Sequence, residues 1–175
     1  SRSLGLKEVA EYWHQVILMN TYQRDRFVKN MIKTMYNTVS GKTIAFLGWA
    51  FKKDTNDTRE SAAIYVADML IEEQANIKVY DPKVTHTQML YDLDYLNTRP
   101  EALNSSHLRV EASAYDAIKD AHAVAILTEW DEFKSYNWEA IYDAMQKPAF
   151  VFDGRNILDK KELETIGFVY TAIGS

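Results

Sequence analysis

The chain has 175 residues, 47% of them hydrophobic, which is enough to bury the core of one domain with an appendage. A net charge of −5 excludes a general attraction to nucleic acid or to an acidic membrane, so any anion site must be local. The absence of cysteine excludes disulfides and a cysteine nucleophile within the chain, and no apolar run reaches the ~18 residues of a transmembrane helix. Because the chain starts at Ser1 without methionine, and soon enters a helical pattern, we expect a piece of a longer protein.

The first forty residues differ from the rest because their apolar residues recur at helical spacing. A first long helix is predicted from Val9, Tyr12, Trp13, Val16 and Ile17. Asn20 with Gln23 resembles a capping box that starts a second helix, which should end within residues 37–41. One face of the second helix would carry Phe27, Met31, Ile32, Met35 and Tyr36. These apolar faces either cover a sheet or form an interdomain or subunit contact.

From residue 42 onward, short apolar runs alternate with amphipathic segments. The predicted strands are Thr43–Leu47, Ile77–Tyr80, Leu108–Val110, Ala123–Leu127, Ala149–Phe152 and Phe168–Ala172. The predicted helices are Ser61–Glu73, Ala114–Lys119, Trp138–Met145 and Lys160–Ile166, with one further helix within Thr85–His107. Right-handed crossovers between such elements favour an α/β fold, a doubly wound parallel sheet of about six strands preceded by two long α-helices.

The segment Gly48 to Arg59 lies between the first predicted strand and the helix that begins near Ser61. Unpaired backbone N–H groups and the helix dipole favour an anion at such a position. A dinucleotide site would need a glycine-rich loop for close approach to a pyrophosphate, whereas this loop has a single glycine followed by bulky and cationic residues. The usual dinucleotide fingerprint is therefore absent.

In a doubly wound sheet, ligands bind at the carboxyl ends of the strands, where the strand order reverses; for the order 3-2-1-4-5-6 this is between strands one and four. Three segments reach that place, namely 48–59, 128–131 and 153–155. They supply the cations Lys52, Lys53, Arg59 and Arg155, with Phe51 and Trp130 as candidate stacking faces for a planar ring. The combination suits a nucleotide phosphate.

Each of these residues also has a purely structural interpretation. The two lysines could be solvated loop charges. Arg59 could pair with Asp54 or Asp57 to hold its own loop, and Arg155 could be an ordinary turn residue. Trp130 is better explained as a packing residue than as a ligand platform. An acid after the second strand can bind a ribose, but Asp81 is followed by proline, and without the glycine fingerprint we favour a turn.

Residues suited to catalysis are scarce. The histidines at positions 14, 86, 107 and 122 lack the spacing of paired metal ligands, so we predict no metal site. Glu129, Asp131 and Glu132 form either an acid/base pair or the acidic first turn of the following helix. No nucleophile motif occurs. The residues alone predict binding, with no catalytic residue in this chain.

Five motifs follow one another in a fixed order: Gly48–Thr55, Asp57–Ser61, Val79–Lys83, Leu127–Trp130 and Phe152–Asn156. Together they resemble the C-terminal portion of the UDP-glucose 6-dehydrogenase family. The resemblance extends to the initial helices, through residues 9–13 and 22–24, and to the end of the chain. It implies a Rossmann-like UDP-binding domain over residues 41–175, preceded over residues 1–40 by the end of a central helical, dimerising region.

The same resemblance implies a cytoplasmic, NAD-dependent enzyme that oxidises UDP-glucose to UDP-glucuronate. NAD would be bound mainly by a domain absent from this chain, and the catalytic cysteine would lie outside it. The implied partners are UDP-glucose and UDP-glucuronate, with a homo-oligomer formed through the central helices and no nucleic acid or membrane. A related UDP-sugar or GDP-mannose dehydrogenase would share this mechanism. A non-catalytic assembly module that self-associates through Trp13, Phe27 and Met31 is the alternative from another class.

The resemblance also assigns roles to individual residues. Those matching Phe51 and Lys52 contact the UDP-sugar, the one matching Arg155 helps to bind it, and the one matching Arg59 reaches toward NAD. Asn56 stands where the family often has glycine, and because asparagine tolerates a left-handed backbone we expect the loop shape to be kept. Ala62 replaces a frequent proline, and only a small local effect is expected.

Overall fold

A parallel sheet of six strands, in the order β3-β2-β1-β4-β5-β6, organises the structure. The structure, a computed structural model, describes residues 22–172. The strands are β1 (Thr43–Leu47), β2 (Asn76–Tyr80), β3 (Leu108–Val110), β4 (Ala123–Ile126), β5 (Phe150–Asp153) and β6 (Val169–Ala172). All six predicted strands, the doubly wound fold class and the predicted strand order are confirmed. The first predicted helix, over residues 9–17, lies outside the described residues.

The helices pack against both faces of this sheet. They are α1 (Arg24–Thr34), α2 (Ala62–Glu72), α3 (His86–Tyr95), α4 (Glu101–His107), α5 (Ala114–Ile118), α6 (Trp138–Ala144) and α7 (Lys160–Ile166), with a 3-10 helix over Asp131–Ser135. Side chains of Ser61, Thr85, Ser113, Asn137 and Asp159 cap the N-termini of α2, α3, α5, α6 and α7. Each cap accepts a hydrogen bond from a first-turn amide that would otherwise lack a partner, which fixes where the helix begins.

The prediction of one helix within Thr85–His107 was wrong, because this stretch forms both α3 and α4. The break lies at residues 96–100, where Asn97 takes a left-handed φ of 55° and Pro100 precedes the first residue of α4. The polar pattern that obscured the second helix has a structural cause. Asn104 is fully buried on α4, where its amide oxygen accepts from Arg99 and its amide nitrogen donates to Asp94.

The core lies at the centre of the sheet. Every residue of β4 and β5 is buried, as are four of the five residues of β1, whereas β2 alternates between buried and half-buried positions. Strands buried on both faces are the usual reason for continuous apolar runs in parallel sheets. Within residues 22–172, no helix is long and apolar enough to cross a bilayer.

Helix α1 covers the sheet with its apolar face. Met31 and Met35 are fully buried, and the ring of Phe27 meets that of Phe152 edge to face, with centroids 6.4 Å apart. Met31 is therefore unavailable for the self-association predicted of an assembly module. Tyr36 also differs from prediction, because it is 68% exposed rather than on the buried face. The helix ends at Thr34 and Tyr36 adopts a φ of 67°, which takes it out of the helical repeat.

Candidate functional site

Three loops meet where β1, β4 and β5 end, and Glu129 joins them. Its Oε1 accepts a hydrogen bond of 2.6 Å from the backbone N–H of Lys53, in the loop after β1. Its Oε2 accepts from Nη2 of Arg155, in the loop after β5. The three segments that the predicted topology brought together are thus in contact at the switch point of the sheet.

Gly48 allows the β1–α2 loop to leave the strand close to β4. It has a φ of +102°, and a Cβ at this position would lie 2.4 Å from Cβ and Oγ1 of Thr128 and 2.7 Å from its backbone nitrogen. The buried hydroxyl of Thr128 donates to the carbonyl of Ala50 over 2.7 Å. The single glycine of this loop is therefore required for close packing against β4.

The carboxylate of Asp81 anchors the same loop from the end of β2. Its Oδ2 accepts from the backbone N–H groups of Trp49 and Ala50, at 2.7 and 3.0 Å, and from the indole of Trp130 at 3.1 Å. Its Oδ1 accepts from the N–H groups of Lys83 and Val84, at 2.8 and 3.1 Å. The predicted turn is confirmed by these last two bonds. The role of Asp81 as loop anchor could not be predicted from local pattern, since it depends on residues more than thirty positions away.

Trp130 is a packing residue, as its structural interpretation predicted. It is 6% exposed and donates its indole N–H to Asp81, so its ring is unavailable as a platform for a ligand. Phe51 in contrast is half-buried at the site, where its backbone N–H donates to the carbonyl of Asp57 over 2.8 Å. Of the two aromatic rings that were candidates for stacking on a ligand, only that of Phe51 is accessible.

The two lysines of the loop differ in their surroundings. Lys52 is exposed and forms no salt bridge with any residue in the described range 22–172. The Nζ of Lys53 lies 3.4 Å from the carboxylate of Asp131. The ammonium of Lys52 is therefore the one of the pair that a ligand anion can reach without displacing a protein carboxylate.

Arg59 pairs with Asp57, one of the two acids that its structural interpretation named. The guanidinium donates from Nε to Oδ1 at 3.2 Å and from Nη2 to Oδ2 at 3.0 Å, and the backbone N–H of Arg59 also donates to Oδ1. These hydrogen bonds lower the pKa of the Asp57 carboxyl. Because the Arg59 side chain is 89% exposed, the pair orients the guanidinium without removing it from solvent.

Besides Gly48, the positive φ values between β1 and α2 are those of Asp54 and Glu60, 63° and 60°. Asn56 has no positive φ, so its backbone does not need the left-handed conformation that asparagine tolerates. Helix α2 begins at Ala62, and Ser61 caps it by accepting from the N–H of Ala63 while its hydroxyl donates to the carbonyl of Trp49 over 2.6 Å. The helix start therefore does not require proline.

Arg155 is held by an ordered turn after β5. The fully buried carboxylate of Asp153 accepts from the backbone N–H groups of Arg155, Ile157 and Leu158, at 3.1, 2.9 and 2.8 Å. It also accepts from the hydroxyl of Tyr170 at 2.8 Å, and burial together with this carboxylate raises the pKa of that phenol. Arg155 is thus a turn residue whose partly buried side chain also reaches the switch point.

The contacts of Glu129 argue against a role as an acid/base group. Burial by itself would raise the pKa of this carboxyl, yet the hydrogen bond and charge of Arg155, with the N–H of Lys53, outweigh it and hold the pKa below its ordinary value. The carboxylate is consequently charged at neutral pH and fully engaged with cationic and N–H donors. A group in this state is a poor proton donor or acceptor for a substrate.

The other two acids of the cluster have separate partners. Asp131 faces Lys53 and Lys134 in the first turn of the 3-10 helix. Oε2 of Glu132 accepts from the hydroxyl groups of Tyr80 and Tyr136, at 3.2 and 2.5 Å. Burial, aided by Glu132, raises the pKa of Tyr80 to about 12. The three carboxylates therefore do not form an acid/base pair, and the interpretation as an acidic first turn fits Asp131 and Glu132.

A small cavity beside Arg155 extends the site toward α1. Phe27 and Arg24 of α1, Leu127 after β4 and Gly154 line it together with Arg155. The guanidinium of Arg24 lies over the ring of Tyr65, 3.8 Å from its centroid. Gly154 is needed here, because a Cβ would lie 2.9 Å from the carbonyl oxygen of Ile126. Helix α1 thus forms one wall of the switch point.

Comparison with known proteins identifies this arrangement. Residues 45–160 match the model of the UDP-glucose/GDP-mannose dehydrogenase family, UDP binding domain. The chain belongs to this dehydrogenase family. The matched range contains all three loops of the site, most of β1 and the whole of β2 to β5. Lys52, Glu129 and Arg155 therefore all lie within the part of the chain that matches the UDP binding domain.

Individual relatives extend the match to most of the chain. UDP-glucose 6-dehydrogenase 4 of Arabidopsis thaliana is 51% identical over 179 aligned residues, which cover 97% of this chain. The chain spans 37% of that relative's length. Among solved structures, NDP-N-acetyl-D-galactosaminuronic acid dehydrogenase of Methanosarcina mazei Go1 superposes with a TM-score of 0.69 at 22% identity, over 90% of this chain and 29% of its own. UDP-D-ManNAc dehydrogenase of Pyrococcus horikoshii superposes with a TM-score of 0.65 at 25% identity. The superposition covers 99% of this chain and 34% of that protein.

Proposed function

We propose that this chain is the UDP-sugar-binding portion of an NAD-dependent UDP-glucose 6-dehydrogenase. The observation that carries the proposal is the meeting of the Lys52 loop and Arg155 at the switch point, inside the range matched by a UDP binding domain. The whole enzyme would oxidise the C6 alcohol of UDP-glucose twice and reduce two NAD, giving UDP-glucuronate. The similarity to the Arabidopsis enzyme supports UDP-glucose as the substrate.

The site residues have distinct proposed roles. Lys52 supplies a point charge to the diphosphate, and Arg155 supplies a planar fork whose N–H groups match two phosphate oxygens. The half-buried ring of Phe51 contacts the nucleotide sugar beside them. Arg59, which Asp57 orients, contacts the cofactor. No residue of this chain is proposed to be catalytic, and the chain alone is expected to bind without catalysing.

The residues of this chain do not fit a complete NAD site. The loop after β1 has a single glycine, and bulky side chains occupy the place of a phosphate cradle. Asp81, at the end of β2, cannot serve a ribose because its two oxygens already accept five protein donors. We therefore propose that another domain of the whole protein holds NAD, with Arg59 as the contact from this side.

The same assignment leads to proposals for the domain organisation, the location and the small-molecule partners of the whole protein. Residues 1–40 would be the end of a central helical region, which mediates homo-oligomerisation, and residues 41–175 the UDP-binding domain. The contact of Phe27 with Phe152 supports a fixed seating of α1 on that domain. The whole protein would be cytoplasmic, and UDP-glucose and UDP-glucuronate would be its small-molecule partners.

Isothermal titration calorimetry of the 175-residue chain tests the proposal. We expect weak binding of UDP and little binding of NAD. NAD binding without UDP binding would overturn the assignment. GDP should bind less tightly than UDP, and the reverse order would favour a GDP-mannose dehydrogenase, which the family description also covers.

Lys52→Ala tests the role of the loop, with Lys53→Ala as a matched control. Loss of a charge-assisted hydrogen bond of ~1.5–3 kcal/mol should weaken UDP binding by about tenfold or more. The control removes an equal charge from the neighbouring position, where the ammonium already faces Asp131, and should leave the affinity nearly unchanged. If the two substitutions change the UDP affinity equally, Lys52 has no specific role in binding UDP.

A further inference from the structure

Glu129 is a negative charge placed between groups that are proposed to receive a diphosphate. Its two carboxylate oxygens are divided between the loop after β1 and the loop after β5: Oε1 accepts from the Lys53 N–H, and Oε2 accepts from the Arg155 guanidinium. From these contacts we propose that Glu129 is a positioning residue, which sets Arg155 and the backbone next to Lys52 in the geometry that binds the diphosphate. The inference rests on the proposed function of the site.

The burial of the pair supports a positioning role. The side chains of Arg155 and Glu129 are each 26% exposed, so water competes with the contact less than it would at an open surface. An arginine side chain has several rotatable bonds, and immobilising it at the moment of binding would cost affinity. With Glu129 in place, part of that ordering is completed before the ligand arrives.

The guanidinium keeps donors for a ligand while Glu129 holds it. An arginine presents five N–H donors, and the contact with Glu129 uses Nη2. A phosphate can therefore accept from the other nitrogens without displacing the carboxylate. The other oxygen of Glu129, Oε1, accepts from the backbone N–H of Lys53, which is next to Lys52 in the chain. One side chain therefore orders both the loop that carries Lys52 and the loop that carries Arg155.

The carboxylate of Glu129 has two opposing effects on diphosphate binding: it orders Arg155, and it repels the phosphate. A negative charge close to Arg155 also opposes an incoming phosphate, and if that effect were larger, removal of Glu129 would tighten binding. The contact with the Lys53 N–H argues against a pure competitor, since it contributes loop order and neutralises no side-chain cation. Lys52 forms no salt bridge between residues 22 and 172, so its ammonium still attracts the phosphate while Glu129 is present. We therefore expect ordering to exceed repulsion.

The test compares the UDP affinities of the 175-residue chain and its variants by titration calorimetry, at a temperature where unfolding curves show every variant to be folded. Glu129→Ala should weaken UDP binding about threefold to tenfold, the range expected for one side chain whose order is lost. Glu129→Gln keeps an acceptor for the Lys53 N–H but loses the charge, and should weaken binding by a smaller factor. Asp131→Ala, which removes an exposed acid from the next turn, should leave the affinity unchanged.

A double-mutant cycle identifies the route of the effect. Because Glu129 acts through Arg155 as well as through the Lys53 N–H, the combined loss of UDP affinity in Glu129→Ala with Arg155→Ala should be clearly smaller than the product of the two single losses. Additive losses would overturn the proposal, as would unchanged or tighter binding by Glu129→Ala. A role in fold stability alone would lower the melting temperature and leave the affinity unchanged, which also counts against it.

Failure of the inference and failure of the proposed function are distinguishable. A wild-type chain that binds no UDP refutes the proposed function and the inference with it. A wild-type chain that binds UDP, while the two Glu129 variants bind it as tightly, refutes only the positioning role. If Glu129→Ala does not fold, the isosteric Glu129→Gln variant decides between these outcomes.

Discussion

Replacement of Gly48 by alanine should be among the most damaging single-methyl changes in this chain. The backbone there has a φ of +102°, and an added Cβ would lie 2.4 Å from both Cβ and Oγ1 of Thr128. It would also lie 2.7 Å from the Thr128 backbone nitrogen, which cannot rotate away as a flexible side chain could. Gly48 is the residue at which the site loop leaves β1, so the clash would distort the candidate site itself.

The expected magnitude combines two costs and one gain. A positive φ costs an L-residue ~1–2 kcal/mol, and overpacking of a well-packed core costs ~1–3 kcal/mol. Restricting the unfolded chain returns ~0.4–1 kcal/mol. The net loss in free energy of unfolding is therefore roughly 1–5 kcal/mol.

Gly41→Ala provides the matched control. Gly41 also has a positive φ, 74°, but no atom lies within 4 Å of the Cβ position. It should show the backbone cost without the clash. Urea unfolding followed by tryptophan fluorescence measures both variants, and we expect Gly48→Ala to lose about 2 kcal/mol more than Gly41→Ala. Equal losses would refute the claim that contact with Thr128 requires glycine at position 48.

Three further predictions concern titratable side chains. Asp81→Asn should lower the free energy of unfolding by about 3 kcal/mol, because a carboxylate that accepts five donors becomes an amide with two donors of its own. Asp57→Asn is the control in the same urea titration, and its effect should be much smaller because the Asp57 side chain is 43% exposed and its side-chain partner is the exposed Arg59. The pKa of Glu129 is lowered in the folded state, so its stabilisation is present above the ordinary value of 4.5 and is lost as the pH falls toward the folded value. Glu129→Gln should remove that part of the acid destabilisation. If the free energy of unfolding of this variant falls as steeply with pH below 4.5 as that of the wild type, the ion pair with Arg155 is contradicted. Burial, assisted by Lys42, lowers the pKa of His122, whose Nδ1 accepts from the N–H of Thr43 over 3.1 Å. Its stabilisation is present above 6.5 and is lost as the pH falls below it, so His122→Asn should flatten the pH dependence of the urea midpoint below pH 6.5.

The positions of the strands were predictable because each is a short apolar run between turn signals, and burial on both faces requires that composition. The site loops were predictable for a topological reason, since the carboxyl ends of β1, β4 and β5 must share one edge of a parallel sheet. Residues 48–59 and 153–155 could therefore be brought together without any knowledge of side-chain contacts.

The contacts inside the site could not be predicted in the same way. Lys53 and Glu129 are 76 positions apart, and their hydrogen bond depends on the exact height at which each loop leaves the sheet. The saturation of Asp81 likewise requires the loop after β1 to fold back over the end of β2. Periodicity reports which residues are buried, but not which buried acid meets which donor. The pairing of Arg59 with Asp57 rather than Asp54 likewise depends on the path of the loop backbone, which periodicity does not report.

The most direct test of the central claim is to locate bound UDP on the molecule. A titration of the 15N-labelled chain with UDP, followed by amide chemical shifts, should perturb the backbone signals of Phe51, Lys52, Gly154 and Arg155 most strongly. Shifts concentrated at these two loops would support a diphosphate bound by the loops that follow β1 and β5. Saturable shifts confined to α3 and α4, with the two loops unchanged, would contradict it.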